Sequence, residues 1–274
     1  MFFHVSEVVD QSRTHDFSFK LSDKDRELIK VNLQRWATAT IPEYIFSPIR
    51  RERWDKMRNA IFGVASLLMH IQLDNTLVES LYQKYQQFCT MGIPAIPILI
   101  GLFRSPAAPE NDILTELRKR LSSGSQNFVF DTAETIKFWV HSMGHCEITP
   151  PPKDIIREIG VIIATRRAIA LSPALSVAAW VFKHGTSVDQ QELRQLCLEG
   201  LTYLIEELDY NRKQSDDMDV PLLRWHCVSL AQAMQERGIK ENIVENWLTA
   251  ARTDPLPEVR LKVSDTHSRL GNDN

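Results

Sequence analysis

Asp254-Pro255-Leu256-Pro257-Glu258-Val259-Arg260 follows directly on an amphipathic segment that ends near Arg252, and its reading decides the fold. An Asp at the cap, a Pro at the first helical position and a Glu in the first turn suit the unpaired N–H groups and the positive end of a helix. A new helix therefore starts almost where the previous one stops. Helix, tight turn, helix is the unit of stacked helical-repeat proteins, in which neighbouring pairs bury one another's apolar faces.

Upstream, residues 153–170, 174–184, 188–208, 220–237 and 240–252 read as helices, with breaks at Pro173, Gly185, the polar stretch 211–219 and Gly238. Nearer the N-terminus, Ile29, Leu33 and Trp36 stripe a helix from Ser22 to Thr38, and Ser47-Pro48 opens another in which Trp54, Met57, Ile61, Val64 and Leu68 recur. Asp74 caps a third, striped by Leu77, Leu81, Tyr85 and Phe88 and ended by Gly92; shorter helices follow at 94–103, 112–121 and 131–143. Only ten glycines occur in 274 residues, and the Asn-Gly and Asp-Gly pairs of β-hairpins are absent. The fold expected is all-α, a right-handed α-α superhelix of about twelve helices. It comprises an N-terminal arm at 1–20 bearing Phe2, Phe3, Phe17 and Phe19, a helical region at 21–145 and repeats at 150–274, together read as one continuous solenoid domain. Ser122-Ser123-Gly124-Ser125-Gln126-Asn127 reads as a loop between helices, and Pro150-Pro151-Pro152 as a stiff elbow.

Asp219-Val220-Pro221-Leu222-Leu223-Arg224 shares with 254–260 an early Asp, a Pro and an apolar residue followed by Arg, at about the ~40-residue period of two-helix repeats. Ser172-Pro173-Ala174-Leu175-Ser176-Val177 reads as an older copy without the Arg. These residues resemble the HEAT repeat, whose second helix opens with an Asp-Pro-x-Pro-Glu-Val-Arg pattern that 254–260 matches throughout. The resemblance is strong at the C-terminus, fair over 153–253 and generic before that. It implies a HEAT/armadillo-like solenoid in which Asp and Arg bond between neighbouring repeats. Asp219, Pro221, Arg224, Asp254, Pro255, Val259 and Arg260 are then structural, and the motif speaks for a fold class rather than an activity.

Composition excludes little. Hydrophobic residues at 43% and charged residues at 24% are those of an ordinary globular protein, and a net charge of -3 exerts no global pull on nucleic acid or anionic lipid. Cys89, Cys146, Cys197 and Cys227 are widely spaced without a Cys-x-x-Cys pair, as expected of reduced thiols in an intracellular protein. The first residues lack a basic region followed by a long apolar run, and the longest apolar stretch, Ile93 to Phe103, contains two prolines and is far short of a membrane span. A cytoplasmic location and no membrane partner are expected.

Candidates for chemistry are sparse. His141, His145 and Cys146 form the one local cluster of metal-ligand types, but Gly144 ends their helix and no Glu stands beside the first His, so a helix-end role suits them better than a metal site. His226-Cys227 would join them only if the fold brought the pair near. No nucleophile elbow, phosphate loop or cofactor-binding motif occurs, so no catalytic residue and no cofactor is expected. Arg50, Arg51 and Arg53, Arg118, Lys119 and Arg120, and Arg166 and Arg167 would track a phosphate backbone if curvature gathered them on one face; acidic neighbours such as Glu52, Asp55 and Glu116 favour solvated helix faces instead. The six tryptophans fall mostly at core spacing, and one left exposed would be an interface anchor. The function expected is a protein-binding scaffold or adaptor without catalysis. A nucleic-acid-binding repeat protein using the arginines and an all-helical enzyme with an unrecognised site are the alternatives.

Overall fold

The computed structural model describes residues 22–40, 51–68, 71–93, 95–103, 105, 107–142, 151–208 and 219–270. Among them are twelve helices and no strand: α1 Asp23–Thr38, α2 Arg51–Leu68, α3 Asn75–Thr90, α4 Ile96–Phe103, α5 Glu110–Leu121, α6 Gln126–Ser142, α7 Lys153–Ala164, α8 Ala168–His184, α9 Ser187–Glu207, α10 Asp219–Glu236, α11 Asn242–Ala251 and α12 Pro257–Leu270. The expected arm at 1–20 lies outside the described residues, as do 143–150. The chain divides into two compact units, Met1–Glu116 with Ser142–Pro150, and Leu117–His141 with Pro151–Asn274.

In the first unit α1 packs on α3, α2 on α4, and α3 on α4. The Ser22 hydroxyl caps α1 by accepting from Asp25 N, and the two helix ends read from sequence on α3 are in place: the Asp74 carboxylate accepts from Leu77 N at 2.9 Å, and Gly92 takes the positive φ of 71° that ends the helix. One core residue is unexpected. Lys84 of α3 is 2% exposed, with its ammonium 6.0 Å from the Trp36 ring centroid and 5.9 Å from that of Phe88. It donates to the Ala39 carbonyl just past the end of α1, and burial lowers its pKa. The long stem fills space while the head ties two helices, so volume and charge separate by mutation. Lys84→Ala is expected to cost about 2 kcal/mol, whereas Lys84→Met, which keeps the volume and relieves a buried charge, stays within about 1 kcal/mol of the parent in urea unfolding.

The second unit is a stack of helix pairs. α7, α9 and α11 form one layer and α8, α10 and α12 the other; each helix packs on the next but one in its own layer, and α7–α8, α8–α9, α10–α11 and α11–α12 also pack across the stack. This is the packing of a helical-repeat solenoid, and the expected all-helical repeat fold is the one observed. Side chains stitch successive members of each layer. The Trp247 indole of α11 donates to the Leu201 carbonyl of α9 at 2.9 Å, and Arg237, just after α10, donates to the Phe182 and Lys183 carbonyls at the end of α8.

The α7–α9 crossing is close because it uses glycines. A Cβ on Gly200 would stand 2.8 Å from the Ile163 carbonyl oxygen and 2.4 Å from its Cγ2, whereas one on Gly160 would meet only side-chain atoms of Leu196 and Leu193, the nearest at 2.7 Å. Helix propensity favours Ala over Gly by about 1 kcal/mol at either site. The leucine can yield and the backbone carbonyl cannot. Gly160→Ala is therefore expected to be neutral within about 1 kcal/mol and Gly200→Ala to destabilise by about 2 kcal/mol, measured as shifts in the urea midpoint.

Several helix boundaries differ from the sequence reading by two residues or more. Helix α6 starts at Gln126 rather than near 131, so the Ser122–Asn127 loop is shorter than expected. The break expected at Pro173 falls at Thr165–Arg167, where Arg166 adopts a φ of 54° and Arg167 donates to the Leu121 and Ser123 carbonyls; Pro173 lies inside α8. A tertiary anchor on Arg167 sets that corner, overriding the local preference of proline. Helix α12 starts at Pro257, two residues later than expected, because the Asp254 carboxylate closes a short turn onto Leu256 N at 2.8 Å.

Candidate functional site

Of the repeat residues, Arg224 and Asp254 meet across the stack. Arg224 Nε donates to Asp254 Oδ2 at 2.9 Å, with side-chain exposures of 8% and 0%. The Asp at the head of one repeat thus receives the Arg of the repeat before it. Arg260 serves its own corner, donating to the Asp254 carbonyl at 2.5 Å and the Pro255 carbonyl at 3.0 Å, and Val259 is buried. Asp219 and Pro221 lie in the first turn of α10, with side chains outside the described set.

The arginine clusters are largely engaged within the protein. Arg118 pairs with Asp154 at 2.8 Å, the Arg120 guanidinium lies 4.8 Å from the Phe128 ring centroid, and Arg166 pairs with Glu207 while lying 4.7 Å over Tyr203. Arg167 caps the end of α5 through the Leu121 carbonyl at 2.9 Å. Lys119 is exposed. Arg50 lies outside the described residues, and Arg51 and Arg53 are described only as backbone of α2.

Of the weak metal candidates, His145 and Cys146 lie outside the described residues. His141 is exposed on α6, with Nε2 3.0 Å from the Ser176 hydroxyl of α8. Among the described residues no three His, Cys, Asp or Glu side chains converge as a metal-ligand set. Cys197 and Cys227 are fully buried, and burial pushes both thiols up, away from the reactive thiolate.

What the fold does gather is a row across α6, α8, α10 and α12. Lys137 and His141 are one turn apart on α6; Ser176, Trp180 and His184 follow at four-residue spacing on α8. Trp225 and His226 are adjacent on α10 with rings edge-on at 4.9 Å, and Lys262 of α12 holds its ammonium 4.9 Å over Trp225. Trp180 lies 5.2 Å from His184. Trp180, Trp225, Lys137 and Lys262 are half-buried, unlike Trp139 and Trp247, which are fully enclosed.

His226 is the centre of this row. It is 6% exposed, and burial, followed by the positive influence of Lys137, His141 and Lys262, depresses its pKa from 6.5 to about 4. His141 is depressed as well, by partial desolvation of its ring where it meets α8 and then by Lys137 and His184. The sequence places His226-Cys227 within an apolar helix; only the packing of α10 between α8 and α12 brings the histidine within electrostatic reach of His141. A signal is nevertheless present in Lys137-x-x-x-His141 and Ser176-x-x-x-Trp180-x-x-x-His184, polar stripes on helices otherwise rich in apolar residues.

A stack in which each helix packs on the next but one, with the Arg224–Asp254 pair joining two successive repeats, makes the second unit a helical-repeat fold. No protein-family model matches the chain, and no curated protein matches it. Among solved structures it is similar to a designed armadillo repeat protein, at 12% identity and a TM-score of 0.43, over 92% of this chain and 96% of that one. Among the described residues no helix is long and apolar enough to cross a membrane.

Proposed function

We propose that this protein is a protein-binding helical-repeat module that holds its partner on side chains of the stack and has no catalysis of its own. The observation that carries this reading is the row on α6, α8, α10 and α12, in which two half-buried tryptophans stand among lysine and histidine side chains. Partly exposed Trp is the residue type most enriched where partners dock. Nucleic acid fares less well on the arginines. Binding several phosphates requires several cations free to release their counterions, and Arg118, Arg120, Arg166 and Arg167 are each held by an acidic, aromatic or carbonyl group of this chain. The unbridged cysteines Cys89, Cys197 and Cys227 agree with a cytoplasmic location.

The test is crosslinking of the intact protein in its native extract, followed by identification of the crosslinked peptides and a parallel assay for bound nucleic acid. Crosslinks from the stack to a recurring protein partner are expected. Recovery of nucleic acid alone, insensitive to protease, would overturn the reading.

A further inference from the structure

Helix α1 carries two apolar stripes, and its packing uses one of them. Ile29, Leu33 and Ala37 are buried, and α1 packs on α3. At about 100° per residue, Leu28, Val31 and Arg35 fall together on the opposite side of the helix. Leu28 is 50% and Val31 47% exposed, and the exposed Arg35 has no acidic partner among the described residues. A helix with an apolar stripe on each side calls for a partner on each side. The chain that runs into α1 has the complementary pattern. Asp16-Phe17-Ser18-Phe19-Lys20-Leu21 precedes the Ser22 cap directly, and in an extended segment Phe17 and Phe19 share one face.

The lengths agree as well. Leu28, Val31 and Arg35 lie about 9, 14 and 20 Å along the axis from the Ser22 cap, at about 1.5 Å of rise per residue. An extended chain covers about 3.4 Å per residue, so Phe19, Phe17 and Asp16 reach about 10, 17 and 20 Å from the same cap, less what the reversal of direction uses. We infer that residues 16–20 fold back along α1, with Phe19 on Leu28, Phe17 on Val31 and the Asp16 carboxylate on the Arg35 guanidinium. The tether at Ser22 makes the contact intramolecular, so a small apolar area suffices to hold it. The arm then covers the open side of the first helix, as a capping element does for the end of a repeat array. The contact is internal to the chain and independent of any bound partner.

Limited trypsin digestion of the full chain reads the docking at the Lys20–Leu21 bond, with the Arg13–Thr14 bond, upstream of the docked stretch, as the reference. Cleavage of a segment that must first detach follows the detached fraction. Leu28→Gln with Val31→Gln, at exposed positions and outside the scissile segment, is expected to raise the Lys20 rate about tenfold relative to Arg13 while leaving the unfolding midpoint within a few degrees. Phe17→Gln with Phe19→Gln is expected to do the same, and the four substitutions together no more than either pair. Asp16→Asn and Arg35→Gln are each expected to raise the rate about threefold, and the two together no further. A Lys20 rate indifferent to Leu28 and Val31, or independent, multiplying effects of the two pairs, overturns the assignment. Protection that strengthens with protein concentration places the arm on a second copy of the chain and overturns it as well.

Discussion

Asp254→Ala is expected to lower stability by about 3–5 kcal/mol, more than either Gly200→Ala or Lys84→Ala. Two losses combine. The Arg224 guanidinium, with its side chain 8% exposed, stays buried without its carboxylate, which is far more costly than the modest net value of the pair itself. Leu256 N loses its acceptor at the corner that starts α12. The two parts separate by mutation. Asp254→Asn keeps an oxygen for Leu256 N and removes the charge; Arg224→Met in the Asp254→Ala background removes the stranded cation and is expected to recover a substantial share of the loss. Urea unfolding of the parent, the Asp254→Ala and Arg224→Met single variants and the double variant closes a double-mutant cycle with a coupling of more than about 1 kcal/mol between the two positions. Additive effects would show that the pair does not join the repeats energetically.

The second large effect is a pH dependence of stability centred on His226. In the unfolded chain this histidine binds a proton below its ordinary 6.5, whereas in the fold it does so only near 4. Across that window the unfolded state holds more protons than the native one, so stability rises with pH and is lost as pH falls. The loss begins below about 6.5, grows by up to about 1.4 kcal/mol per pH unit and levels off below the folded pKa, amounting to about 3 kcal/mol in all. His141, also depressed, contributes in the same direction. Unfolding midpoints measured between pH 7.5 and about 4 for the parent and for His226→Phe test this directly. The variant is expected to lose most of the slope between 6.5 and 4. An unchanged slope would assign the acid sensitivity to other groups.

The repeat class was readable because its signals are local. A helix start needs a cap, a fixed φ and a first-turn acid within a few residues, and 254–260 supplies all three, with a second copy at 219–224. Asp74 and Gly92 were readable for the same reason, one as an acceptor for an orphan N–H and the other as the residue that tolerates positive φ. Pro173 shows the limit of such signals: proline disfavours helix locally, but the chain turns at Arg166 because Arg167 finds carbonyls at the end of a helix more than forty residues upstream.

The sequence by itself determined the helices, their approximate ends and the membership of Asp254 and Arg224 in a repeat, since periodicity and capping act over a few residues. It did not determine which Arg meets which Asp, that Lys84 is enclosed, or that His226 lies within reach of Lys137, His141 and Lys262. Those depend on how one helix packs against the next but one in the stack. Burial and electrostatic neighbourhood are properties of that packing, set by side chains far apart in the chain, and no local pattern encodes them.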